Sequence, residues 1–406
     1  TRYWRDWSSD VCSSDLTTLA AATDASGRTT VVWQDSLAGG PGIHARGMTA
    51  VVGRTFVADE STSIQSILDS QSLGAGDVIV VKATKTAWPA TITAADKGVT
   101  IWGAPGSVIG AVTVQSGADD VLIQRVTSRA SVTVNGANRF TLSESTVNGI
   151  VLNGGSAAQI VASRVTGSLL PAAIVVRGGV ADALIDRCTV FAGPGSMGID
   201  VVSVNNAAAT NLVVTASTIQ SGSLGTGIAL RAAASGRIRG NTISAVGGSG
   251  LEIAAAFTGP IEGNTISGSG VGILYRAAAA LAKNTVTKNT IGIRTTVAGT
   301  AAGLGFVDGS GVNEVVGNAV GIEAVAAEFQ RQKIADNVTG ARGSGTIGGT
   351  SLDAANLFAG NRTGVADFTG VVQYSRFTRN LSAAIDVTAP MAGLVVRHNT
   401  FNGNPS

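Results

Sequence analysis

Asp200, Arg231 and Glu252 are the residues of this chain whose types and spacing come nearest to a chemical site. Two carboxylates can exchange protons or hold a hard cation, and a guanidinium can hold an anionic group in a fixed fork. Arg231 belongs to a second set as well: Arg177, Arg231 and Arg276 recur at related positions and would make a positive stripe for acidic sugars. Other reactive groups are sparse. The two histidines, His44 and His398, stand at opposite ends of the chain, and Asp119-Asp120 reads as a turn feeding a strand.

These residues can meet only if something stacks distant positions, and an internal repeat does so. The segments CTVFAGPGSMGIDVV, STIQSGSLGTGIAL, NTISAVGGSGLEI, NTISGSGVGILY and NTVTKNTIGIRT share one template. A small polar residue precedes Thr and a β-branched residue; a Gly-rich bend follows, then Gly and an aliphatic. The polar slot falls at Ser145, Ser163, Cys188, Ser217, Asn241, Asn264 and Asn284, at intervals of 18, 25, 29, 24, 23 and 20 residues, and returns at Asn399. Short strands at such a period, with no helix between them, predict a solenoid of about three strands per coil. About thirteen coils would make a rod of roughly 60 Å.

Period-two alternation turns Ile228, Leu251, Ile273 and Tyr275 inward. The first outward positions are then Asp200, Ala229, Glu252, Leu274, Arg294 and Glu323. The next are Val202, Arg231, Ala254, Arg276 and Thr296, with Arg177 one coil below. Asp200, Arg231 and Glu252 would share one face, where interleaved opposite charges on a solvated sheet are the plainer explanation. On this register Ile243→Asp should cost several kcal/mol, and Ala229→Asp should be nearly neutral. The Gly ahead of each aliphatic is expected to take φ > 0 at a corner. Asn241, Asn264 and Asn284 are expected to turn another corner the same way, their amides bonding along the axis. Cys188 in that slot is a filler rather than a nucleophile.

With this template the region 58–406 resembles the right-handed parallel β-helix superfamily, whose members include pectate lyases and many bacterial surface proteins. The fold class implied is all-β, a right-handed parallel β-helix with an N-terminal capping helix. Ile64, Ile67 and Leu68 form an apolar stripe at helical spacing, which places that helix at about residues 62–72, with Gly74 as its stop. The resemblance to pectate lyases implies carboxylates for Ca²⁺ and an arginine that takes a proton beside a uronate. The pectin hydrolases of the superfamily resemble one another in paired Asp motifs, Gly-His-Gly and Arg-x-Lys, none of which occurs here. No cofactor is evident, and Ca²⁺ lacks support: Asp200 and Glu252 supply too few oxygen ligands.

The first sixteen residues, TRYWRDWSSDVCSSDL, fit no periodic pattern; read back into codons, they resemble a sequencing-library adapter and are set aside as non-native. Without their two Arg and three Asp, the 28 basic and 26 acidic residues fall to 26 and 23. So even a balance, with no basic run, excludes a nucleic-acid footprint, and no apolar stretch is long enough to span a membrane. Residues 17–57 are similar to a tandem surface repeat of bacterial proteins through Trp33, Gly42, Ile43, Ala45, Arg46, Gly53 and Phe56, which implies one partial copy of an upstream array. HNTFNGNPS opens a fresh coil and stops, so a truncated C-terminus is expected.

The function expected is a non-catalytic stalk or adhesion module of a large secreted or cell-surface bacterial protein. Its partner would be an extracellular polysaccharide or a cell-surface component; the sequence leaves the oligomeric state open. Two alternatives stand beside it. One is a carbohydrate-active enzyme (polysaccharide lyase, hydrolase or epimerase) with a divergent site at Asp200, Arg231 and Glu252. The other is a non-catalytic binder of acidic glycans through Arg177, Arg231 and Arg276.

Overall fold

The computed structural model describes residues 53–405 except 168–170, 246, 297–311 and 388–392, together with the backbone of three upstream strands. The adapter-like stretch 1–16 lies outside the described residues apart from Leu16, which opens the first of those strands. Leu16–Thr23, Arg28–Asp35 and Gly42–Thr49 form a small antiparallel sheet in that order.

From Thr55 onward the chain winds into a right-handed parallel β-helix of about 14 turns. Three strands per coil stack in columns, each paired in parallel with its equivalents above and below. One column is an eleven-stranded sheet running from Thr55–Ala58 to Ala279–Ala282. The polar slot sits at the corner between that sheet and the second column, as Asn241 does between Ala234–Arg239 and Thr242–Ala245. Equivalent aliphatics lie rung over rung: Ile174, Ile199, Ile228, Leu251, Ile273 and Ile293 are successive register partners, all fully buried. Val165, Val190, Ile219, Ile243, Ile266 and Val286 do the same on the next side. Tyr275 points inward too, its hydroxyl donating to Ala279 O at 3.1 Å. Near the C-terminal end aromatics replace aliphatics, and Phe358, Phe377 and Phe401 stack with centroids 4.8 and 5.2 Å apart.

The α-helix Ile64–Ser70 buries Ile64, Ile67 and Leu68 against the first coils, and Ser63 caps it by accepting from Ser66 N at 3.0 Å. It stops at Gln71, in extended conformation, rather than at Gly74. Gly74 instead donates its N–H to Asp77 Oδ2. Asp77 also accepts from the Arg54 backbone and guanidinium, both at 2.7 Å. Those bonds hold its carboxyl down at about 2, the Arg54 side chain contributing most and burial opposing it.

Two expectations about corners are corrected. The glycines before the inward aliphatics, among them Gly198, Gly227, Gly250 and Gly272, do not take positive φ. They are required by close approach: a Cβ on Gly227 would fall 2.4 Å from Gly250 O and 2.4 Å from Ile243 Cγ2. Nor do Asn241, Asn264 and Asn284 enter the left-handed region. The residue before each slot does, as at Glu144, Ala162, Arg187, Ala216, Gly240, Gly263 and Lys283. That kink turns the slot residue's own N–H away from the sheet ladder, and a side-chain oxygen from the next rung must accept it.

Candidate functional site

The result is an axial ladder of buried side-chain oxygens and amides. Ser217 N donates to Asn241 Oδ1, Asn241 N to Asn264 Oδ1, and Asn264 N to Asn284 Oδ1, at 3.0–3.1 Å. Each Asn Nδ2 donates back to a carbonyl of the rung below, Val214, Ile238 and Ile261 in turn. The column continues through Asn313, Gln332 and Asn356 to Ser375 and Asn399. A second ladder, which the sequence reading missed, runs five residues further along each rung. Ser269, Asn289, Asn318, Asn337, Asn361, Asn380 and Asn404 bond successively. Its signal was the recurring spacing in NTVTKN, NEVVGN and NLFAGN.

Cys188 occupies the first ladder as a filler. Its N–H donates to Ser217 Oγ at 3.0 Å, and its thiol lies 3.2 Å from Ile160 O and 3.3 Å from Asp186 O. Burial pushes the thiol up to about 11, so sulfur stays protonated and poorly nucleophilic.

The strands Met197–Val202, Thr226–Leu230 and Ser249–Ile253 carry the charged candidates. Asp200, Ala229, Glu252, Leu274, Arg294 and Glu323 form one outward column in register. Arg231, Ala254 and Arg276 follow in the next. Asp200 is nearly closed off from solvent, and Arg231 grips it with both arms of the fork, Nε to Oδ1 at 2.8 Å and Nη2 to Oδ2. Glu252 turns instead to Arg276, whose Nη1 lies 3.2 Å from Oε1. Further up, Glu323 is held between Arg294 and Arg342, at 2.6 and 2.9 Å. Burial works against its ionisation, yet those two arginines keep its carboxyl below the ordinary range.

The candidate triad therefore resolves into two ion pairs on one face. Both Asp200 oxygens are engaged by Arg231, and the hydrogen bond to Asp200 holds the guanidinium above its ordinary range. Of the arginine stripe, Arg231 and Arg276 are neutralised, and Arg177 is exposed on the same outer face. Among the described residues no three His, Cys, Asp or Glu side chains gather as a metal site would need. His398 stacks on Tyr374 at 4.9 Å on an exposed corner. Asp119 and Asp120 tie one turn to Asn138 and Arg139. His44 has no described side chain.

Fold and charge ladder together define a right-handed parallel β-helix whose polar groups bond along its axis. Residues 148–320 match the family model described as a right handed beta helix region. Among solved structures, a mutant of the periplasmic alginate epimerase AlgG aligns over 85% of this chain and 83% of its own. The identity is 11% and the TM-score 0.38, which carries no functional inference. No curated protein matches the sequence. No helix among the described residues is long and apolar enough to cross a membrane.

Proposed function

We propose that the solenoid is a non-catalytic stalk or adhesion module of a secreted or cell-surface protein, one that holds partners apart or presents a surface to an extracellular polysaccharide. The observation that carries this reading is the fate of the charged candidates: Asp200–Arg231 and Glu252–Arg276 are closed pairs that link one rung to another. Two amide ladders run the same way, so polar side chains are invested in axial continuity. A catalytic site needs the opposite, a group left poised to accept or donate at a cleft.

Incubating the purified chain with pectate, alginate and neutral polysaccharides, with and without Ca²⁺, and following new reducing ends, unsaturated products and inverted uronates tests the proposal. No turnover is expected. Turnover abolished by Arg231→Ala would replace it with the divergent-enzyme reading.

A further inference from the structure

The outer face of the eleven-stranded sheet is apolar at its N-terminal end. Ile79, Ile101 and Ile123 point into the coil and are fully buried, so alternation turns Val78, Val80, Trp102 and Leu122 outward. Val57, Val80 and Trp102 are successive register partners, and beside them Thr100 pairs with Val78 on one side and Leu122 on the other. Further along, the same two columns pass to Gln124 and Ser143, and to Thr141 and Gln159. Five apolar side chains, one of them a tryptophan, thus stand together on an outer surface. Val57 is 40% exposed, and the other four are half-buried.

The chain carries an occupant within reach. Leu16–Thr23, Arg28–Asp35 and Gly42–Thr49 pair as a separate three-stranded sheet, and a sheet that small must cover one of its faces to persist. Its register puts Leu19, Ala21, Val31 and Trp33 on one face, with His44 and Arg46 on the edge strand beside them. The tether is short. Gly53 is already seated in the coil, where a Cβ would fall 1.7 Å from Gly76 O, and Arg54 is bonded to Asp77. Residues 50–52 alone are left to bridge Thr49 and Gly53, a reach of at most about 14 Å. Thr55 then opens the very sheet that carries the patch, and the four strands of the patch span about 14 Å at the inter-strand spacing. A sheet so tethered can lie face to face on Val57, Val80 and Trp102, at the usual sheet-to-sheet distance of about 10 Å.

We propose that the upstream sheet docks, by the face that carries Leu19 and Trp33, on the outer patch of Val57, Val78, Val80, Trp102 and Leu122. Sheet and solenoid then form one continuous body rather than two units on a loose joint. The docking does not rest on the stalk reading: its failure leaves that reading untouched, and turnover of a polysaccharide leaves the docking untouched.

Hydrogen-exchange mass spectrometry on the full chain tests it, read on peptides that cover Arg28–Asp35 and Gly42–Thr49. Those strands should be protected in the parent chain. Val80→Asp puts a charge at the centre of the contact and should speed their exchange by at least about tenfold, while Val132–Asn135 stays as slow as before. Val57→Asp, at the exposed margin where the coil loses little packing of its own, should act in the same direction, and it decides the matter if Val80→Asp loosens its own rung. Ala111→Asp, exposed on the neighbouring sheet, should change nothing. Upstream strands that exchange as an open chain, or that keep their protection in both the Val57 and Val80 variants, would overturn the proposal. So would protection that rises with protein concentration alongside a dimer in light scattering, which would give the patch to a second copy of the chain.

Discussion

Cys188 takes the place of an oxygen in the first ladder, and its chemistry follows from that position. With its thiol raised to about 11 by burial, it should resist iodoacetamide at pH 8 in the folded protein and react on denaturation, as mapped on its own peptide by mass spectrometry. Ala229 offers a sharper test. The alternation placed it outward, and the register agrees, but it is fully buried: its methyl group sits between the longer side chains of Asp200 and Glu252. The expected neutrality of Ala229→Asp is therefore corrected. A third carboxylate wedged between two others should cost about 2–3 kcal/mol in urea unfolding, whereas Ala254→Asp, exposed between Arg231 and Arg276, should cost under about 0.5 kcal/mol. Equal losses at both positions would mean that burial by neighbours is irrelevant here.

At the scale of strands and corners, glycines divide by cause. Gly227→Ala forces a methyl group into the backbone of the next rung and should cost about 2–3 kcal/mol. Gly240→Ala meets nothing within 4 Å and has only its φ of +64° to overcome, about 1 kcal/mol. Thermal melts of the two variants should rank them so. The cap helix gives a pH dependence. Asp77 is held at about 2 in the fold against an ordinary 3.8, so its contribution is fully present above pH 4 and lost as pH falls towards 2. Asp77→Asn should lower stability at pH 7 and flatten the acid limb of the melting-temperature curve; an unchanged limb would exclude Asp77 as its source.

For the molecule as a whole, energetics should be close to a sum of nearest-neighbour terms. Asn284 accepts from Asn264 and donates to Ile261 O and to Asn313 Oδ1. Asn284→Ala strands several buried groups and should cost about 3 kcal/mol. In hydrogen-exchange mass spectrometry the faster exchange should be confined to the rungs of Asn264 and Asn313, with Val126–Ser163 unchanged. Loss of protection along the entire rod would argue for one cooperative unit instead.

What the residues alone determined was the coil. Gly-aliphatic pairs and a polar slot at a near-constant interval can bury their apolar side only by stacking, so the inward columns at Ile199, Ile228 and Leu251 and the inward Tyr275 were legible in advance. The cap stripe at Ile64, Ile67 and Leu68 was legible for the same reason, since local periodicity reports one buried face. Tertiary structure decided everything that depends on the neighbouring rung. Whether a glycine serves φ or close approach, whether outward Ala229 is covered, and which carboxylate Arg231 grips are set by groups 16 to 31 residues away in sequence.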